Sequence, residues 1–447
     1  MKIIDWIKGV LSKLIGTDSI TAATGGSVAI TDSMQAAIDG WYNQYIGKAD
    51  WVTDTVKSQR YEVAICRDFA DVALSEMQVK ITDDRLQAII DGLQADLHTH
   101  LQLGLATGGL IIKPLGADKV QFIAANSFVP LEYDSRGRLI SVIFPDSKKL
   151  GNTYYTRLET HRLSADGLTI TNKCYRSTSA STLGVECSLA DVGEWANLLP
   201  FINYPTMTHP AYGYFKNPLP NDIDGSHTPI SIYAPAVEHI KKADMQAARL
   251  DWEFESGERA IYVDDAAVKR DGSIAKNNKR LYRGLNIDID GNGLFETFSP
   301  ELRQADLIAG LENYKKAIEL SVGLAFGDLS DPASVAKTAT EIKASKARKY
   351  NMVNSIQSCL SDCIYDLVYA LAFYNGLATS GYEVNITYND SIMTDEETER
   401  AQDRLDVSMG VMSAAEYRSK WYGETLEVAQ SKVTSTALPA DNDSGGW

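Results

Sequence analysis

The chain has 447 residues, of which 44% are hydrophobic and 23% are charged, as is typical of a globular protein with a large core. Its 59 acidic and 43 basic residues give a formal net charge of −16, which argues against a basic domain that holds nucleic acid tightly. Apolar runs fall short of the roughly 18 residues that a membrane-spanning helix needs, and the length predicts about three domains.

The first predicted element is an amphipathic helix over residues 1–16, where apolar side chains recur at helical spacing with lysines between them. Such a helix could lie on a membrane surface, or it could dock on its own protein or on a partner. We favour docking over membrane binding, and the lack of a continuous apolar core and of a cleavage site argues against a signal peptide.

Residues 50–110 have the apolar spacing of helices, and His98 and His100 stand within this stretch. We interpret the two histidines as the rim of an apolar face, because a third metal ligand is not evident. From 110 to 190 the pattern changes to short alternating segments with turns at 135–137 and 165–167, which predicts an antiparallel β region.

The stretch 200–230 is rich in Pro, Gly and Asn, which predicts a long irregular connection. Helices are predicted at about 231–256 and 301–322, separated by a compact insert at 257–299 with strand-like alternation. Within the insert, DIDGNG matches the first half of a calcium-binding loop. Ser299 replaces the glutamate at its twelfth position, so a hairpin turn is favoured.

A very long helix is predicted to follow the sequence KTATEI. Thr338 is the predicted N-cap and Glu341 its reciprocal partner in a capping box, and apolar residues step by three or four as far as residue 374. The helix would be about 54 Å long. The same motif at Thr394 and at Ser413 predicts shorter helices near the C-terminus, followed by a disordered tail.

The chain has five cysteines, an odd number, and no two of them form a CxxC motif. A disulfide framework or a zinc site is therefore not expected. Cys359 and Cys363 lie one helical turn apart among apolar residues, which predicts core packing. This use of cysteine is typical of a protein made in a reducing, cytosolic compartment.

Sequence motifs for catalysis are also not found: the chain has no P-loop, dinucleotide-binding, zinc-protease or serine-hydrolase signature. The pairs Asp83-Asp84 and Asp264-Asp265 could belong to a two-metal nuclease, but we interpret them as helix caps or turn residues. The chain is therefore predicted to be a non-enzyme, without catalytic residues, metal, cofactor or small-molecule substrate.

Four segments in order resemble the portal proteins of tailed bacteriophages, the head-to-tail connectors, in particular those of the siphophage type. The segments are 63–84, 231–263, 322–342 and 403–423, and the resemblance spans roughly residues 40–430. The stretch VGLAFGDLSDPASVAKTATEI is similar to the family's loop and following helix start, with Ile342 where the family usually has Val.

The resemblance implies a portal-like α+β fold that is mostly helical and has an antiparallel β region. It divides the chain into an N-terminal wing (1–230), a stem helix (231–256), a clip of small α/β type (257–299), a second stem helix (300–323), a tunnel loop (324–337), a long wing helix and strand (338–393), crown helices (394–435) and a disordered tail (436–447). In function it implies a ring, generally of about twelve subunits, at one vertex of the capsid.

Double-stranded DNA would pass through the ring's central channel independently of sequence. The implied partners are the large subunit of the terminase, head-completion or adaptor proteins, and the major capsid and scaffold proteins. The implied location is the virion, after assembly in the cytoplasm of the host bacterium.

The resemblance also implies two groups of functional residues. The tunnel loop and channel group consists of Phe326, Gly327, Asp328, Ser330, Asp331, Ser334, Lys337 and Lys343. Small side chains should let this loop move, Asp328 and Asp331 should repel phosphate, and the lysines could touch it transiently. The basic clip group, which could bind a partner protein or exiting DNA or could be a solvated surface, consists of Lys269, Arg270, Lys276, Lys279, Arg280 and Arg283.

Two other functions remain open from the sequence. A capsid-associated scaffold or minor head protein would have no DNA channel and no closed ring. A metal-dependent nuclease would need a carboxylate cluster and a divalent cation.

Overall fold

A computed structural model describes residues 28–75, 77–258, 260–264, 282–285, 295–298, 301–332, 339–377, 381–388 and 396–436. The chain divides after Thr387 into a larger and a smaller compact unit. The described residues form an α+β protein with nine α-helices and mainly antiparallel sheets, which confirms the predicted class. Among the described helices, none is both long enough and apolar enough to cross a lipid bilayer.

The helices of the described residues are α1 Asp32–Tyr45, α2 Tyr61–Ser75, α3 Asp84–Thr107, α4 Val237–Ser256, α5 Gln304–Val322, α6 Ala339–Tyr374, α7 Glu396–Ser408, α8 Ala414–Tyr422 and α9 Leu426–Thr436. Helix α6 has 36 residues, so the predicted long helix is confirmed. Helix α4 begins later than predicted, because a 3₁₀ turn with Pro235 near its start occupies the preceding residues.

The largest sheet has six strands: β4 Val129–Tyr133, β5 Leu139–Leu150, β6 Thr153–Ser164, β7 Gly167–Ser177, β8 Val185–Cys187 and β9 Phe201–Tyr204. Strands β4 to β8 follow one another in chain order, and β8 and β9 pair with different halves of β7. The antiparallel region predicted at 110–190, with both of its hairpin turns, is confirmed.

A second sheet has three strands in the order β10-β2-β3, namely β10 Gly213–Lys216, β2 Gly109–Pro114 and β3 Val120–Ala124. Strand β10 also packs against α6 so closely that a Cβ at Gly213 would collide with the Cys363 carbonyl. The prediction that residues 200–230 are wholly irregular is therefore wrong, since β9 and β10 lie there. Their sequences, FINY and GYFK, lack the alternation of apolar and polar residues that marks a strand.

A third, two-stranded sheet pairs β1 Met77–Ile81 with β14 Val384–Tyr388. The helical reading of residues 50–110 is wrong at β1, which separates α2 from α3. Its partner is about three hundred residues away along the chain, so no local pattern could reveal the pairing.

Helices α4 and α5 form an antiparallel pair. Gln246 on α4 donates to the Leu307 carbonyl at 3.1 Å, and Glu253, further along α4, accepts from Arg303 at 2.7 Å, near the start of α5. The described residues of the insert between them form a small sheet of β11 Ala260–Asp264, β12 Tyr282–Leu285 and β13 Phe295–Phe298. Strand β11 is central, parallel to β12 and antiparallel to β13.

In the smaller unit, α8 begins with the predicted capping box. The Ser413 side chain accepts from the Glu416 N–H at 3.1 Å, and the Glu416 carboxylate accepts from the Ser413 N–H at 2.8 Å. The two other predicted boxes, at Thr338 and Thr394, lie outside the described residues, as do the N-terminal helix at 1–16, the DIDGNG turn and the tail from 437.

Candidate functional site: the loop between α5 and α6

The chain leaves α5 in a left-handed turn at Gly323, where φ is +85°. The N–H groups of Gly323 and Leu324 both donate to the Glu319 carbonyl, at 3.1 and 2.9 Å. Glycine takes this conformation without the steric cost that a side chain imposes. The turn directs the next residues back along the last turns of α5.

The Glu319 side chain organises the first half of the loop. This carboxylate has no solvent exposure, and its Oε1 accepts from the N–H groups of Gly327, Leu329 and Ser330 at 3.1, 2.7 and 2.7 Å. Its Oε2 accepts from the Ser330 hydroxyl at 2.9 Å. A carboxylate held by several charge-assisted hydrogen bonds fixes the backbone that supplies the donors. Residues 327–330 are therefore wrapped around a buried anion.

A second carboxylate, Asp328, ties the loop to two helices. Its Oδ2 accepts from the Ala325 N–H at 2.9 Å and from Lys349 Nζ of α6 at 3.0 Å. Lys349 also lies 2.8 Å from Asp68 of α2. Although burial lowers the pKa of Lys349, the two carboxylates outweigh it and raise that pKa above its usual value. The lysine therefore stays charged between its two partners.

The remaining described part of the loop is held by α5 and α6 as well. Glu312 accepts from the Asp331 N–H at 2.8 Å and pairs with Lys315 at 2.7 Å. The guanidinium of Arg348 lies over the Phe326 ring, 4.9 Å from its centroid, at a distance typical of a cation–π contact. Contacts with α5 and α6 thus fix residues 324–332 of the loop.

Two contacts in the described half of the loop were not predicted from the sequence. Ser330 is buried against Glu319, and Asp328 is paired with Lys349. The movement expected from the small residues stays a prediction, although the N–H groups of Gly327 and Ser330 bind the buried Glu319 carboxylate. The loop predictions for Ser334 and Lys337 lie outside the described residues.

The rest of the predicted site is only partly described. Lys343 and Glu341 lie within α6, and Arg283 lies in β12 opposite Tyr262, although their side chains are outside the described part. The basic clip residues Lys269, Arg270, Lys276, Lys279 and Arg280 are also outside it. For these residues the sequence predictions stay predictions.

Sequence reasoning missed Glu319 and Lys349, the two side chains that hold the loop. One signal was available for Glu319, because an acidic side chain in the last turn of a helix is unfavourable toward the helix dipole unless another contact compensates. The Lys349–Asp68 pair had no local signal, since 281 residues separate its partners.

Outside the loop, the histidines and the first aspartate pair that the sequence analysis considered make structural contacts. His98 pairs with Asp71, and His100 stacks on Phe122 with ring centroids 4.4 Å apart. Asp83 accepts from the N–H groups of Arg85 and Leu86, which confirms its interpretation as a helix cap. No group of three His, Cys, Asp or Glu residues that could hold a metal ion occurs among the described side chains.

One face of α4 is exposed along its whole length in the single chain. It repeats at helical spacing and consists of Glu238, Lys242, Met245, Arg249 and Trp252. Trp252 is 67% exposed and Met245 is 40% exposed, which is high for large apolar side chains. We call this face the α4 stripe; three of its members, Met245, Arg249 and Trp252, are of types enriched at protein interfaces.

Comparison with models of known protein families finds no match for this sequence, and comparison with curated proteins finds no significant similarity.

Proposed function

We propose that this protein is a portal protein of a tailed bacteriophage. It would form a closed ring of about twelve copies at one capsid vertex, with a central channel for double-stranded DNA during packaging and ejection. The ring would dock the large subunit of the terminase and then head-completion or adaptor proteins, and it would contact major capsid and scaffold proteins.

The observation that carries the proposal is the order of elements from α4 to α6. An antiparallel helix pair carries a small sheet between its two helices, and a loop anchored to α5 leads into the 36-residue helix α6. This order matches the stem, clip, stem, tunnel loop and long helix that the family resemblance implies.

The α4 stripe supports the closed ring. In a ring, each subunit contacts its two neighbours through two different surfaces, because the contacts are head-to-tail. An exposed tryptophan and methionine on a stem helix fit such a contact, since aromatic residues and methionine are enriched at interfaces. The proposed neighbour is a second copy of this chain.

The anchored loop supports the channel. Glu319 and Lys349 hold the described part of the loop, residues 324–332, against α5 and α6, and this fixed segment would lie at the channel of the ring. The net charge of −16 per subunit suits a conduit, because DNA must slide past without lasting phosphate contacts.

The test of the proposal is negative-stain electron microscopy of the purified protein, combined with native mass spectrometry. We expect closed rings of about twelve subunits with a central hole. Trp252→Glu should leave folded monomers, because it places a charge in the subunit contact. Leu150→Glu is the matched control, since it puts the same charge on an exposed apolar residue at the β5–β6 turn and should leave the rings intact.

Three outcomes would contradict the proposal. Folded protein that stays monomeric even with scaffold and capsid protein present would contradict the proposed ring assembly. A closed assembly without a hole would favour a scaffold or minor head protein. A compact dimer that cleaves DNA with Mg²⁺ would favour the nuclease.

A further inference from the structure

Two of the five free cysteines lie opposite each other in the six-stranded sheet. Cys174 of β7 and Cys187 of β8 are direct partners in the antiparallel register, and their Sγ atoms are 3.3 Å apart. They are 13 positions apart in the chain, so they form no CxxC motif, and no sequence pattern connects them.

The two thiols differ in access to solvent. Cys174 is only 1% exposed and packs with Val192 and Trp195, whereas Cys187 is half-buried on an edge strand of three residues. The turn before β8 passes so close to β7 that a Cβ at Gly184 would collide with the Arg176 carbonyl. The hairpin therefore holds the pair together while it leaves one thiol within reach of a small reagent.

We propose that Cys174 and Cys187 form a dithiol site that closes to a disulfide by exchange with a small disulfide such as oxidised glutathione. Closure would fasten the edge strand β8 to β7. This inference does not depend on the proposed function.

The backbone geometry fits such a bond. Directly opposed residues of an antiparallel pair have Cα atoms about 4.5–5.5 Å apart, which lies within the range of about 4.4–6.8 Å found across disulfides. The sulfur atoms must approach from 3.3 Å to about 2.05 Å, which a small side-chain rotation on the short strand β8 can provide.

The reaction proceeds in two exchange steps. The Cys187 thiolate attacks one sulfur of oxidised glutathione, forms a mixed disulfide and releases one glutathione thiolate. The Cys174 thiolate then attacks the Cys187 sulfur and releases the second glutathione. The two protein thiols are oxidised, one glutathione disulfide is reduced to two glutathione molecules, and the two thiol protons pass to them.

The second step should be the slower one. Burial is the largest cause that raises the pKa of Cys174, and it persists in the mixed disulfide, so the Cys174 thiolate is scarce at neutral pH. Because only the thiolate attacks, closure from the mixed disulfide should accelerate as the pH rises from 7 toward 9.

The test treats the full-length protein with oxidised glutathione, blocks the remaining thiols, and maps the peptides without reduction. We expect a Cys174–Cys187 cross-linked peptide that glutathione or dithiothreitol reverses. Hydrogen exchange at the amides of 185–187 should slow by about tenfold or more after closure, since β8 can no longer separate from β7 alone.

Two variants separate this site from general thiol reactivity. Cys174→Ser should stop at the glutathione adduct of Cys187, with unchanged exchange at β8. Cys359→Ser, which alters a half-buried thiol in α6, should close the pair as the unmodified chain does. Wild-type protein that keeps the Cys187 adduct without closing, or that leaves both thiols unmodified, would overturn the proposal, as would a cross-link at other cysteines.

Discussion

At the scale of single residues, Glu319 controls the shape of the loop after α5. It accepts four hydrogen bonds from residues 327–330 while it is fully buried. Each such bond to a charged acceptor contributes about 1.5–3 kcal/mol, and a buried donor without a partner costs about 1–3 kcal/mol. The backbone of residues 327–330 therefore depends on this one carboxylate.

Glu319→Gln should loosen the loop, because the amide NH₂ would face backbone donors that need acceptors. We expect a loss of about 2–4 kcal/mol in the free energy of unfolding, together with faster hydrogen exchange at residues 327–330. Urea unfolding and hydrogen exchange would measure the two effects. Asn313→Ala, an exposed change on the same helix, should alter neither; equal exchange in Glu319→Gln and wild type would contradict the assignment.

Glu62 gives the protein a pH-dependent stability. Burial, opposed by a backbone hydrogen bond and aided by the charge of Asp244, raises the pKa of Glu62 to about 7. Its Oε2 is buried and has no hydrogen-bond partner within the described structure. The folded protein therefore binds a proton there more tightly than the unfolded chain does. Stability from this group is complete below about pH 4.5 and is lost as the pH rises toward 7.

Glu62→Gln should remove this dependence. The pKa difference corresponds to about 3 kcal/mol, so the variant should be more stable than wild type at pH 8 and similar to it near pH 4.5. Urea unfolding across this range would measure the change. Glu132→Gln, an exposed change on β4, should keep the wild-type dependence of the unfolding free energy on pH. If Glu62→Gln also kept that dependence, another group would be responsible for it.

At the scale of elements, the contribution of an N-cap side chain to helix stability can be tested at α8. Ser413→Ala removes the side chain that accepts from the Glu416 N–H, and should cost about 1 kcal/mol at the start of α8. Hydrogen exchange at residues 414–417 would measure it, and Ser413→Asp, which restores an acceptor, should recover most of the loss. An unchanged exchange rate in Ser413→Ala would mean that tertiary contacts alone fix this end.

Local patterns predicted the elements whose partners are near in sequence. The hairpins β4–β5 and β6–β7, the long helix α6 and the capped helix α8 followed from periodicity and turn residues. Strands β1 and β10 were missed, because they pair with β14 and with β2 across long stretches of chain. The contact of Asp328 with Lys349, and the pairing of that lysine with Asp68, depend on tertiary packing that periodicity does not encode.

At the scale of the whole molecule, the proposed ring would use different surfaces for subunit contacts and for partner binding. The basic clip residues form a positive run in an acidic chain. The double change Lys279→Glu and Arg280→Glu should therefore weaken binding of the terminase large subunit while rings still form. Pull-down of the terminase and electron microscopy would measure the two properties. Lys48→Glu, a change of the same sign on an exposed residue outside the clip, should affect neither.

Loss of rings in the clip variant would show that these charges serve subunit contacts instead. Unchanged terminase binding would assign the basic run to exiting DNA or to a solvated surface.

The small sheet between α4 and α5 has a consequence for how such chains can diversify. Ala260 of β11 stands opposite Phe298 of β13, so the two points where the chain enters and leaves the insert are neighbours in an antiparallel ladder. Two adjacent ends can be joined by a short turn, or by a foreign module, without moving the flanking helices. The fold therefore allows the segment between them to be exchanged as a unit while the contacts between α4 and α5 are kept.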